Sequence, residues 1–105
     1  MDLSVISHES PAVHRVSGEI DISTAPVLHA RLQSALTAGG RLLVDLSGVT
    51  FMDARGLGTL VAVNNTAREL GGTVQLIGVP AAVRRLLRLT GLNRLFTLEP
   101  ALLCA

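Results

Sequence analysis

The residues best placed to act on another molecule lie around Asp53, which follows an apolar pair and precedes a stretch with two glycines. A carboxylate in this position can accept hydrogen bonds from the free N–H groups in the first turn of a helix. Residues 43–58 therefore predict a buried strand that ends in a short turn at Ser47-Gly48 and leads into a helix capped by Asp53. We expect this segment to present an acidic helix cap at the protein surface.

No set of residues has the spacing expected of a catalytic or metal centre. His8, His14 and His29 lack metal-ligand spacing, and no Ser-His-Asp or Cys-His combination can be assembled. Gly56 and Gly58 form a Gly-x-Gly pair without the longer glycine-rich pattern and the lysine of a phosphate-binding loop. The sequence therefore argues against an enzyme, a metal site and a cofactor.

Composition narrows the class of protein further. The 105 residues are 49% hydrophobic and 2% aromatic, with a formal net charge of +1. This length fits one domain, residues 1–105, with one aliphatic core. The scarcity of aromatic residues and the dispersed arginines argue against nucleic-acid binding. The single cysteine, Cys104, fits a reducing compartment, and no signal segment or membrane-spanning stretch is evident, so we expect a cytoplasmic protein.

Alternating strand and helix patterns predict an α/β fold. Strands are expected over residues 3–7, 13–20, 42–46, 73–77 and 96–98, with a turn at 8–11. Helices are expected over residues 24–37, 54–70 and 80–90, where apolar residues recur at three- and four-residue steps. The first two strands suggest a hairpin, and the segment from 42 to 77 suggests a βαβ unit with a right-handed crossover.

Capping residues are expected at the ends of these helices. Ser23 or Thr24 is predicted to cap the first helix with its hydroxyl. Glycine pairs, residues 39–40 and 71–72, are predicted to end the first and second helices, because glycine adopts the left-handed conformation of a helix C-terminus.

Three segments resemble the STAS domain, as found in bacterial anti-sigma factor antagonists: Gly18-Glu19-Ile20-Asp21, residues 43–58 and Leu70-Gly71-Gly72. The resemblance spans about residues 13–98. It implies a single small domain with a mixed sheet of four to five strands and helices packed mainly on one side. It also implies a module that binds an anti-sigma factor of the serine kinase type, or another regulatory protein, without a cofactor.

The resemblance further implies a partner-binding surface at the start of the second helix. The family's matching aspartates lie at that surface, and here they are Asp21 and Asp53. The residues carried over to this surface are Asp21, Ser23, Asp53, Ala54, Arg55, Gly56, Leu57 and Gly58.

Arg55 departs from the family pattern. In the family, the second residue after the aspartate is the serine that a partner kinase phosphorylates. A guanidinium has no hydroxyl and carries a charge opposite to that of a phosphate, and the neighbouring Ala54 also lacks a hydroxyl. We therefore expect no switching by phosphorylation here, with Arg55 either functional or a drifted surface residue. Thr50 and Thr59 carry the nearest hydroxyls and are the alternative acceptors.

Other functions stay open at this point. Some STAS domains are cytoplasmic accessory subunits of lipid-trafficking ABC transporters, and nothing in the sequence excludes that role. The resemblance also leaves weak nucleotide binding open. The three arginines at 84, 85 and 88 lie on one side of the third helix, and we interpret them as a solvated basic face. The sequence leaves the partner's identity and the oligomeric state open.

Overall fold

The computed structural model describes the backbone of residues 3–8 and 13–99 and the side chains of residues 13–96. Over these residues the strands are β1 (Leu3–His8), β2 (Val13–Ile20), β3 (Arg41–Met52), β4 (Thr73–Ile77) and β5 (Thr97–Glu99). The helices are α1 (Ala25–Ala35), α2 (Ala54–Glu69) and α3 (Ala81–Thr90), and a 3-10 helix, η1, spans Leu92–Arg94. Most of the predicted turn at 8–11, together with Cys104, lies outside the described residues.

The strands form one sheet in the order β1-β2-β3-β4-β5. β1 and β2 pair antiparallel, whereas β2, β3, β4 and β5 run parallel to one another. Each parallel pair is connected through a helix, and right-handed connections that step in one direction place their helices on the same face of the sheet. The predicted α/β class, the N-terminal hairpin and the βαβ unit are confirmed.

The main core lies between this face of the sheet and the helices. Alternate residues of β3 contribute Leu42, Val44 and Leu46, which belong to one buried cluster with residues of all three α-helices. The predicted apolar stripes account for this packing, since Leu28 of α1 and Leu60 of α2 are fully buried. The opposite face of the sheet carries a small separate cluster of Val13, Leu43 and Ile77.

The predicted turn at Ser47-Gly48 is wrong, because β3 continues through it to Met52. Gly48 pairs with Ser17 of β2, and a Cβ on Gly48 would lie 2.7 Å from the Ser17 Cβ. The close approach and a shift of register let the ladder to β2 continue as far as the pair Ile20–Met52. Continued pairing provides partners for backbone groups that a turn would leave unpaired.

The predicted end of α1 is also wrong. The helix ends at Ala35 with an extended residue, Leu36, at its C-cap, and the left-handed Gly39 follows only later. The glycine pair instead joins the connection before β3 to the one before β4, because Gly39 N–H donates to Leu70 O (2.7 Å) and Thr73 N–H donates to Gly40 O (3.0 Å). The end of α2 near Gly71 agrees with the prediction.

Candidate functional site

The two helix starts lie side by side because β2 and β3 are neighbouring parallel strands. Ile20 and Met52 form the last pair of this ladder, and Asp53 N–H donates to Ile20 O (3.2 Å). Asp21 follows β2 and Asp53 follows β3, so both predicted aspartates lie at the carboxyl end of this strand pair.

Asp53 caps α2 as predicted. Its backbone is extended, and its Oδ1 accepts from the backbone N–H groups of Arg55 (2.9 Å) and Gly56 (3.3 Å). The Asp53 carbonyl accepts the Leu57 N–H (3.1 Å) and begins the helical pattern. The carboxylate therefore occupies the positive end of the helix dipole.

Asp21 holds the turn that precedes α1. Its Oδ1 accepts from the N–H groups of Ser23 (2.9 Å) and Thr24 (3.2 Å). Thr24 is the N-cap residue of α1, as predicted, but it makes no side-chain capping hydrogen bond, and its hydroxyl donates to Glu19 O (2.7 Å). The predicted role of Asp21 as a turn carboxylate is confirmed.

The eight predicted surface residues do not all reach solvent. Gly56 and Leu57 are buried: Leu57 belongs to the core, and a Cβ on Gly56 would lie 2.6 Å from Ile20 Cγ2. These two residues hold the first turn of α2 against the sheet. The exposed members are Ser23, Ala54, Arg55 and Gly58, with Asp21 and Asp53 half-buried.

Arg55 is the charged residue among the four exposed members of this surface. The Asp21 and Asp53 carboxylates are engaged by backbone N–H groups. The ion pair found within the described side chains joins Arg15 to Asp45 and lies elsewhere. An exposed guanidinium in the first turn of α2 is therefore left without an ionic partner among the described residues.

A groove of about 400 Å³ runs beside Arg55, between α1 and α2. Ile22, Pro26 and His29 line one side, and Arg55, Gly58 and Ala62 line the other. Ile22 is 63% exposed. Sequence reasoning missed this groove, although an isoleucine between two polar turn residues was a signal for an exposed apolar contact.

The two alternative hydroxyls differ in access. Thr59 is buried, and its hydroxyl donates to Arg55 O (3.2 Å) within α2. Thr50 is exposed on β3, two residues before the strand ends at Met52. Thr50 is thus the more accessible of the two.

Neither a metal centre nor a membrane span is found in the described part of the chain. Its His, Cys, Asp and Glu side chains form no group of three or more that could hold a metal ion. Its helices are all too short or too polar to cross a bilayer.

Comparison with known proteins assigns the chain to a family. A family model described as "Mlab, STAS domain" matches residues 4–100. The chain belongs to the STAS domain family, as the resemblance implied.

Individual relatives carry a more specific name. The anti-sigma-B factor antagonist of Bacillus subtilis is 31% identical over 93 residues, covering 89% of this chain and 85% of that protein. The protein of the same name from Staphylococcus aureus is 37% identical over 86 residues, covering 77% and 76% of the two chains. The crystal structure of an anti-sigma factor antagonist from Mycobacterium paratuberculosis superposes with a TM-score of 0.80 at 34% identity, covering 96% of this chain and 86% of that one.

Proposed function

We propose that this chain is an anti-sigma factor antagonist, a binding protein rather than an enzyme. Its partner is an anti-sigma factor of the serine kinase type or a related regulator. The names of its relatives support this role. The observation that carries the proposal is the Asp53-capped start of α2 beside Asp21, with exposed residues at the tip.

The contact surface consists of this tip and the adjoining groove. Asp21 and Asp53 fix the backbone of the two helix starts, while Ser23, Ala54 and Arg55 are exposed there. The apolar part of the groove accepts an apolar side chain of the partner, and the Arg55 guanidinium attracts a carboxylate next to it.

In the proposed mechanism, phosphorylation at the start of α2 does not regulate partner binding, because position 55 is an arginine. A phosphorylated serine would bring about −2 of charge to the contact and repel an acidic partner surface. Arg55 holds a permanent positive charge there instead. The chain therefore acts as a constitutive antagonist with respect to this position.

Affinity capture followed by a phosphorylation assay tests the proposal. A small serine kinase captured by the chain is incubated with it and ATP, and the chain is then examined by intact-mass spectrometry with site mapping. The wild type is expected to stay unmodified, whereas Arg55→Ser is expected to gain one phosphate on residue 55. Phosphate on Thr50 of the wild type with loss of kinase binding would contradict the proposal, as would an Arg55→Ser variant that binds the kinase yet stays unmodified.

The same capture distinguishes the transporter alternative. Recovery of an ABC ATPase in place of a serine kinase would favour an accessory subunit. Capture with Arg55→Glu in parallel reports whether either protein depends on the α2 tip.

A further inference from the structure

A second hollow, of about 580 Å³, lies at the opposite end of α2 from the proposed partner surface. It is enclosed by the last turns of α2, the start of β4 and the residues around η1. The polar side chains that line it belong to Asn64, Arg68, Thr73 and Arg94.

The charge of this hollow is positive. Arg68 and Arg94 are both exposed, and neither forms an ion pair with any described residue. Within residues 13–96, whose side chains the structure describes, no carboxylate lines the hollow; Glu69, the neighbour of Arg68 in sequence, lies outside it. Two guanidinium groups in one concavity without a counter-charge favour an anionic occupant.

Asn64 adds a second and independent observation. It is 3% exposed, lines the hollow, and its side-chain Nδ2 has no hydrogen-bond partner among the described residues. Buried polar groups in proteins are nearly always hydrogen-bonded, so an unpaired amide donor calls for an acceptor. Asn64 and Arg68 are four residues apart and share one face of α2, which brings this donor beside the guanidinium.

The C-terminal end of α2 lies beside the hollow, and its last carbonyl groups already accept hydrogen bonds. The Ala67 carbonyl accepts the Gly72 N–H (2.8 Å), and the Arg68 carbonyl accepts the Gly71 N–H (3.0 Å). These hydrogen bonds offset the partial negative charge that the end of a helix would otherwise present to an anion. The side-chain atom of the hollow that is buried without a partner, Asn64 Nδ2, is a donor.

We propose that this hollow binds a phosphate-type oxyanion carried by a small molecule. Arg68 and Arg94 bind its oxygens through paired N–H groups. The Asn64 Nδ2, which is buried in this structure, donates a further hydrogen bond once its side chain turns towards the ligand. The hollow exceeds the size of a phosphate group, which leaves room for the remainder of a small phosphate ester. α2 has 16 residues and is about 24 Å long, so this site is separate from the α2 tip.

A titration followed by NMR tests the site with inorganic phosphate as the probe, and with glycerol phosphate as a second probe that carries an organic group. Sodium chloride at matched ionic strength is the reference. Saturable shifts are expected for the Asn64 side-chain amide and for the Nε–H groups of Arg68 and Arg94. Tighter binding of glycerol phosphate would support an ester as the ligand, and equal binding would support free phosphate.

Matched variants separate a built site from general attraction to positive charge. Arg68→Gln and Arg94→Gln remove exposed side chains and are expected to weaken phosphate binding about ten-fold or more. Arg85→Gln removes the same charge from α3, outside the hollow, and is expected to leave binding unchanged. Asn64→Leu is expected to weaken the saturable binding of phosphate, because it removes the amide donor. The same variant is expected to raise the melting temperature, because that buried donor has no partner.

Two results would overturn the proposal. One is the absence of any saturable shift beyond the chloride reference. The other is an equal loss of affinity in Arg85→Gln and Arg94→Gln, which would mean diffuse attraction only. Loss of kinase binding by Arg55→Glu with phosphate binding intact would confirm that the two surfaces are independent.

Discussion

The Asp53 carboxylate accepts a hydrogen bond from the backbone N–H of Arg55 at 2.9 Å. The N-cap residue of α2 thereby fixes the backbone from which the exposed guanidinium projects. Within the described residues, the Asp53 carboxylate and the Arg55 guanidinium form no ion pair. Helix stability and surface charge therefore depend on different residues and can be separated by mutation.

Asp53→Ala is expected to destabilise the protein by about 1 kcal/mol, because it leaves two N–H groups of the first turn without their acceptor. Urea unfolding measures this change as a lower midpoint at constant slope. Asp53→Asn keeps an acceptor oxygen and is expected to lose only part of that stability. If the alanine and asparagine variants lost equal amounts, the cap would not be the cause.

Arg55→Glu is expected to stabilise the protein by roughly 0.3–1 kcal/mol while weakening partner binding. A negative charge suits the N-terminal end of a helix, whereas a positive charge opposes its dipole. The measurements are thermal unfolding and calorimetric titration with the captured partner. Arg55→Gln is the control for charge alone, and parallel changes in stability and affinity would disprove the separation.

Gly56→Ala and Gly58→Ala are expected to change stability in opposite directions. A Cβ on Gly56 would lie 2.6 Å from Ile20 Cγ2 and 2.8 Å from Met52 Cγ, whereas a Cβ on Gly58 would meet nothing within 4 Å. Gly58→Ala is therefore expected to gain up to ~1 kcal/mol from helix propensity. Gly56→Ala is expected to lose about 1–3 kcal/mol through overpacking.

Chemical denaturation of the two alanine variants gives the comparison directly. Because Gly58 lines the groove, its variant also reports on the partner surface: weaker binding with higher stability would place the partner against it. A stabilised Gly56→Ala would show that the sheet can yield at Ile20.

Local signals in the sequence were sufficient to predict where α2 begins and where β4 lies. An acidic cap before an apolar helical stripe predicts the former, and a short apolar run bounded by Gly72 and Gly78 predicts the latter. Both depend on neighbours in sequence. The observed bounds, Ala54 for the helix start and Thr73–Ile77 for the strand, agree with the prediction.

The errors arose where distant residues decide the outcome. The extension of β3 depends on pairing with β2, about thirty residues earlier, which outweighed the local turn preference of Ser47-Gly48. The groove forms only when α1 packs beside α2 and brings Ile22 and His29 towards Arg55. No local pattern contains that contact.

His14 makes stability depend on pH in the mildly acidic range. It is 8% exposed, and burial lowers its pKa below 6.5. The unfolded chain then binds the proton more tightly, so stability falls as the pH decreases from 6.5 towards the folded pKa. Unfolding measured between about pH 7 and pH 5 should show this loss, and His14→Gln should flatten it. An unchanged slope in the variant would assign the loss to another group.

Asp45 makes stability depend on pH in a more acidic range than His14 does. Burial alone raises the pKa of its carboxyl, but hydrogen bonds from Ser47 and the Arg15 guanidinium at 3.3 Å outweigh burial and lower the pKa below 3.8. Its contribution is present above 3.8 and is lost as the pH falls through the folded pKa. Asp45→Asn should remove this second step and leave the His14 step intact.

The stability losses of Gly78→Ala and Gly71→Ala distinguish the cost of a left-handed backbone from the cost of a steric clash with a neighbouring side chain. Both glycines have positive φ, +61° and +77°, but a Cβ on Gly78 would lie 2.7 Å from Asp45 Oδ1, whereas one on Gly71 would meet nothing within 4 Å. Gly71→Ala is expected to cost about 1–2 kcal/mol from its left-handed backbone. Gly78→Ala should cost more, since it also displaces the Asp45 carboxylate. Equal unfolding midpoints would show that the carboxylate moves freely.

The two glycine pairs, residues 39–40 and 71–72, are far apart in the sequence but are in contact in the fold. A Cβ on Gly72 would overlap the Gly40 carbonyl oxygen. Hydrogen bonds from Gly39 to Leu70 and from Thr73 to Gly40 close the contact. The connections that precede β3 and β4 therefore form one hydrogen-bonded unit at the end of the sheet opposite the start of α2. A chimera that exchanges one of these loops with a relative should fold only if the other loop is exchanged with it.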